Sequence, residues 1–126
     1  MIQQQTILRI TDNSGGKSVK CIKILGGFRR RFASIGDVIV VSIQQLRNKS
    51  KILSKIKKGE IYKGLITKTK KSIKKKDGLV TFFDKNCVVL INKQNTPLGT
   101  RIVGPVSKKI KQEKYLKFTA ISTGLI

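Results

Sequence analysis

The chain has 126 residues, enough for one domain with a modest core and too few for two. Its 28 lysines and arginines stand against 6 acids, a net charge of +22, so a polyanion is the expected partner, with nucleic acid ahead of an anionic membrane surface. No window holds the roughly 18 apolar residues of a spanning helix, and with no histidine and few acids no acid–base pair or nucleophile triad forms, which argues against an enzyme.

The first element is a hairpin in "TILRITDNSGGKSVKCIKILGG". Thr6, Leu8 and Ile10 alternate with Ile7 and Arg9, and a turn cluster follows at residues 12–16. Val19 and Cys21 then alternate with Lys20, but Ile22 and Ile24 break the pattern. Apolar residues on both faces suggest a strand bent into a closed barrel. Next, "GGFRRRFASIGD" sets Arg29, Arg30 and Arg31 between glycines and aromatics. Arginine forks grip phosphate bidentately. Phe28 and Phe32 are expected to pack on the core or its rim, with stacking on an unpaired base as the alternative.

"DVIVVSIQQL" is the third strand, rich in β-branched residues. The loop after it, "RNKSKILSKIKKGE", carries Arg47, Lys49, Lys51, Lys55, Lys57 and Lys58, and Ile52, Leu53 and Ile56 could make it a short amphipathic helix. "IYKGLITKT" is the fourth strand, where Gly64 is expected to mark a bulge or bend.

"KTKKSIKKKDG" follows, with Lys68, Lys70, Lys71, Lys74, Lys75 and Lys76 in eleven positions. It lies between two β-rich segments and ends in turn chemistry, so it reads as the far end of a protruding hairpin. Such an arm would hold several lysines at a spacing suited to successive phosphates. A loop kept basic for solubility alone would call for mixed charge. "LVTFFDKNCVVLI" is the fifth strand, bent at Asp84, Lys85 and Asn86. Beyond Pro97 the pattern predicts one or two short helices, N-capped by Ser107 and broken near Gln112.

These elements predict a mainly β fold: a small five-stranded antiparallel OB-like β-barrel with a protruding β-hairpin and a short helical C-terminal segment. The whole is a single domain over 1–126, with the barrel over about 1–103 and the helices over about 105–118. Cys21 and Cys87 fall short of the four ligands of a zinc site and read as small buried hydrophobes, so neither metal nor cofactor is expected. A free-standing binder of single strands would need a row of exposed aromatics, and the chain has only seven in all. If about ten phosphates were neutralised, the logarithmic salt slope of binding would be roughly −7 to −9.

In order and spacing, "MIQQQTILRITDNSGGKSVKCIKILGG", "RRFASIGDVI", "KKGEIYKGLITKTKK", "DGLVTFFDKNCVVLIN", "PLGTRIVGPVSKKIK" and "EKYLKFTAIS" resemble the ribosomal protein L-fourteen family of the large subunit. The resemblance covers residues 1–123 and is most diagnostic over 64–90. It implies a structural constituent that binds large-subunit rRNA and sits at the face meeting the small subunit. It brings Asn13, Ser14 and the following basic strand with Lys17, Lys20 and Lys23 to rRNA, together with the arginine loop and the lysine hairpin; Lys49, Lys51, Lys57 and Lys58 are expected rRNA contacts from their charge alone. It also implies an exposed patch at Thr100, Arg101 and Lys117 that can meet small-subunit rRNA at an intersubunit bridge or a ribosome anti-association factor. The implied protein neighbours are the L-three and L-nineteen types. Gly16 and Thr67 depart from the family, which commonly has alanine and an aliphatic residue there.

Lysine and isoleucine, both abundant, have A/T-rich codons. The first residues lack a basic segment followed by an apolar one, and they are not an Arg- and Ser-rich presequence. An organelle-encoded mitochondrial protein is expected, with plastid or bacterial cytoplasm as the alternative.

Overall fold

The computed structural model describes residues 1–47 and 55–126. Among the described residues seven strands form: β1 (Ile7–Ile10), β2 (Gly16–Ile24), β3 (Val38–Leu46), β4 (Ile61–Lys68), β5 (Ile73–Lys74), β6 (Val80–Thr81) and β7 (Cys87–Ile91). Five of them close a barrel in the order β1-β2-β3-β4-β7, and β5 and β6 pair apart from it. Strands that alternate in direction around a ring of five must meet once in parallel. That seam joins β1 to β7 through Arg9↔Cys87 and Ile10↔Val88, and every other barrel pair is antiparallel. The predicted fifth strand is thus divided: its start is the return strand of the arm, and its end closes the barrel.

The broken pattern in β2 has a local cause. Leu8, Ile10, Val19 and Cys21 are buried while Ile7, Arg9 and Ile22 are exposed. A register shift between Cys21 and Lys23 then inserts one residue and turns Ile24 inward. In β4 the bulge is not at Gly64, contrary to expectation. Gly64 pairs regularly with Ile39 and Leu90, and the shift falls between Ile66 and Lys68. Glycine is required at 64 for room: a Cβ there would lie 2.5 Å from Cγ2 of Val88. The shift instead buries Thr67, whose hydroxyl donates to the Cys87 carbonyl at 3.4 Å.

All five residues of β7 are buried. Its inner face lines the barrel and its flank is covered by the returning chain, as Leu98 N–H donates to the Leu90 carbonyl at 3.0 Å. That double cover explains the uninterrupted apolar run. The C-terminal segment seals the core with Ile102, Val106, Ile110, Tyr115 and Phe118. Ser107 caps a 3-10 turn at Lys108–Ile110, and a second turn at Glu113–Tyr115 leads into α1 (Leu116–Ala120). The break at 111–112 is where the sequence places it, and the helical part ends two residues later than expected. Cys21 and Cys87 are free and buried.

Candidate nucleic-acid interface

The β1–β2 turn is fastened from beneath. Asp12, fully buried, accepts hydrogen bonds from the Ser14 N–H at 3.1 Å, from the Ser14 hydroxyl, and from Leu90 N–H at 3.0 Å. Asn13 reaches outward from the same turn. Its Nδ2 donates to the Thr100 hydroxyl at 2.6 Å, and its Oδ1 accepts from Thr100 N–H at 2.7 Å. Ser14 is therefore buried and engaged, and Asn13 holds the loop at residues 99–101 in place. Lys17 and Lys23 are exposed on β2 and Lys20 is half-buried there.

The arginine loop divides its labour. Arg30 lies along Gly26 and Gly27, donates from Nε to the Phe32 carbonyl at 3.1 Å, and pairs with Asp37 at 2.5 Å. Asp37 also accepts from the Ser34 N–H and hydroxyl. Arg30 thus braces the loop while Arg29 and Arg31 remain exposed. Arg29 holds a left-handed backbone (φ 49°) and sets its guanidinium 5.2 Å from the Phe28 ring centroid. Phe28 is 91% exposed and Phe32 is 44% exposed, so the expected core packing fails for Phe28.

The lysine hairpin is anchored at its root. Thr69 is buried, Lys70 N–H donates to Asn86 Oδ1 at 2.9 Å, and Phe83 N–H donates to the Thr69 carbonyl at 3.2 Å. Ile73↔Thr81 and Lys74↔Val80 form the ladder. The turn beyond is closed by Lys75 N–H to the Leu79 carbonyl at 2.8 Å, with Gly78 at φ 87°. Lys70, Lys71, Lys74 and Lys76 are exposed; Lys75 is half-exposed. At the arm's base Lys68 donates to the Val103 carbonyl at 3.4 Å and lies 6.0 Å from the Phe83 ring centroid.

The loop before β4 presents Lys57 and Lys58 on a turn with Gly59 at φ 85°. Ile56 is in the core; Lys49, Lys51, Ile52 and Leu53, and with them the expected amphipathic helix, lie outside the described residues. Glu60 accepts from Lys57 N–H at 3.0 Å and from the Tyr62 hydroxyl at 2.7 Å. These bonds hold the Glu60 carboxyl below its usual range, while desolvation and the bond to Glu60 push the Tyr62 phenol up to about 12. Thr100, Arg101 and Lys117 are exposed, and Ile102 N–H donating to the Ile121 carbonyl at 3.1 Å brings the loop beside the end of α1.

Among the described residues the Arg30–Asp37 pair is the only salt bridge. The remaining described cations have no carboxylate in contact and are available to phosphate. Arg9, Lys63 and Lys85 belong with them and escaped the sequence reading, which followed clusters. Arg9 was legible as the outward position of an alternating strand. No cluster of metal-ligating side chains forms among the described residues.

Set beside known protein families, residues 1–126 match the model described as ribosomal protein L14p/L23e. The barrel, its arm and its unpaired cations are therefore those of a member of the L14p/L23e family, a structural constituent of the large ribosomal subunit that binds rRNA and other ribosomal proteins.

Proposed function

We propose that this chain grips large-subunit rRNA at three points and offers a fourth surface to the small subunit. The rRNA contacts are the lysine hairpin (Lys68, Lys70, Lys71, Lys74, Lys75, Lys76), the exposed arginines (Arg29, Arg31), and the loop and strand lysines (Lys17, Lys20, Lys23, Lys49, Lys51, Lys57, Lys58). Asn13, Ser14 and Arg30 serve these contacts by fixing the turns that carry them. The observation that carries this reading is the contrast in pairing: one arginine is locked to an acid, and the lysines of a hairpin with a pinned root are not. Phosphates bound by such a frame position the protein without reading base sequence.

Lys74→Glu, Lys75→Glu and Lys76→Glu together should abolish incorporation into large subunits, followed on a sucrose gradient, while circular dichroism of the isolated protein stays unchanged. Normal co-sedimentation of the triple variant would rule the arm out as an rRNA contact.

Thr100, Arg101 and Lys117 form the surface for small-subunit rRNA at an intersubunit bridge, or for an anti-association factor. Proximity of the 99–102 loop to α1 supports the grouping. The protein neighbours are ribosomal proteins of the L-three and L-nineteen types. Arg101→Ala should leave large-subunit assembly intact and weaken joining of the subunits. A defect at assembly instead would contradict the assignment. The lysine- and isoleucine-rich composition favours a mitochondrial ribosome over a plastid or bacterial one.

A further inference from the structure

A depression of about 560 Å³ lies over the parallel seam between β1 and β7. Its volume is within the roughly 300–1,000 Å³ range of small-ligand sites. Arg9, Lys17, Arg47, Lys68 and Lys85 line it, with Asp84 as the one acid, and Phe83 and Val103 add apolar lining beside Lys68. Val103 is 55% exposed, a large apolar side chain left uncovered beside cations. Thr11 lines the same depression, and its buried hydroxyl is without a hydrogen-bond partner among the described residues. A second, shallower depression shares Arg9, Lys17 and Lys85 and continues to Lys70 and Asn86 at the root of the arm. The three cations are thus a common wall between two hollows, one of them with an apolar side.

That is the layout an unpaired strand needs: a charged saddle for the phosphodiester and a hollow on either side for a nucleoside. The sequence reading assigned Lys17 to RNA but neither Arg9 nor Lys85, because β1 and the 84–86 bend are distant in sequence and meet only when the barrel closes. We propose that the seam binds a two-nucleotide step of single-stranded RNA, its phosphate between Arg9, Lys17 and Lys85 and one base against Phe83 and Val103. This rests on the rRNA-binding role and adds to it a subsite that takes unpaired nucleotides, distinct from the backbone grip of the arm.

The test uses the full-length protein. Titration with the dinucleotide uridylyl-uridine, followed by amide chemical shifts, should move Thr11, Cys87 and Val103 saturably. Inorganic phosphate should move Arg9 and Cys87 but leave Val103 in place. In the Arg9→Gln/Lys85→Gln variant, whose exposed positions leave the fold intact by circular dichroism, these shifts should vanish. The same variant should bind large-subunit rRNA with a logarithmic salt slope shallower by about two. A dinucleotide that moves only the arm and arginine-loop amides, or a variant that keeps the parent's slope, overturns the proposal. If the parent protein binds its rRNA no better than an unrelated RNA of equal length, the rRNA-binding role fails instead, and the dinucleotide titration alone then decides the seam.

Discussion

At the scale of single residues, two buried positions have opposite relations to their surroundings. Gly64 is a residue with no room to grow. A Cβ would lie 2.5 Å from Val88 and 3.6 Å from the Val89 carbonyl, inside a ladder paired on both sides. Overpacking a well-filled core costs about 1–3 kcal/mol, so Gly64→Ala should lower the unfolding free energy by an amount in that range, read as a lower denaturant midpoint. An unchanged midpoint would show that Val88 simply turns aside. Thr11 carries a buried hydroxyl that finds no hydrogen-bond partner among the described residues. A buried group without a partner costs about 1–3 kcal/mol, and Thr11→Val keeps the shape while removing it. The valine variant should unfold at a higher temperature in the absence of RNA; a lower one would mean that the hydroxyl has a role the fold conceals. Neither effect was legible beforehand. Gly64 reads as a bulge because glycine in a strand has two common uses, and only the packing across β4 and β7 separates them. Gly16 is similar: a Cβ there would collide with Cδ1 of Ile10.

Strands, turns and caps were far easier to read than their meeting points. Alternation located β1 and the start of β2, β-branched composition located β3, the turn chemistry of Asp77 and Gly78 located the arm, and Ser107 located the first 3-10 turn. Local rules suffice for such features. What they miss is the contact between distant elements. The parallel seam, the Asp12 tie to β7 and the gathering of Arg9 with Lys85 all depend on closure of the ring. The start of β4 offers a test of one such local arrangement. Tyr62 donates to Glu60, and its phenol is raised to about 12 from an ordinary 10.0. A phenol with a raised folded value holds its proton longer when folded than unfolded. Its contribution to stability is therefore complete below about pH 10 and disappears as pH rises toward 12. Glu60 runs the other way: its lowered value gives a contribution present above the ordinary carboxylate range and lost as acid protonates the group. In a Tyr115→Phe variant, which leaves Tyr62 as the only tyrosine, ultraviolet titration should place phenolate formation near 12. Glu60→Gln should lower it only part of the way, because burial, the larger cause, remains; a midpoint near 10 before that change would mean that neither burial nor the hydrogen bond acts on the phenol.

For the molecule as a whole, the distribution of acids matters more than their small number. Asp12 is spent on a buried turn, Asp37 on bracing a loop, Glu60 on a tyrosine and a backbone amide, and Asp77 on the tip of the arm. Four of the six acids are thus consumed in local structure. All six are already counted in the net charge of +22, and those held in turns are not free to move toward the lysines, so the free protein stores repulsion that only a polyanion or salt can relieve. Stability and binding should therefore answer salt with opposite signs. Between 0.05 and 0.5 M sodium chloride the Debye length contracts from roughly 14 to 4 Å. Repulsion among the exposed lysines is screened over that range, and the melting temperature of the free protein should climb. Affinity for rRNA should fall steeply over the same range, because releasing the same counterions into more concentrated salt gains less free energy. A melting temperature indifferent to salt would show that the cations stand too far apart to repel, and the same spacing would then deny them a common stretch of RNA backbone. Both measurements probe one property, a cationic shell held at fixed separations by a neutral barrel. Charge reversal in the arm should accordingly raise the melting temperature of the free protein while it destroys binding. A single variant with gains in one and losses in the other would locate the stored repulsion in the element that holds the RNA.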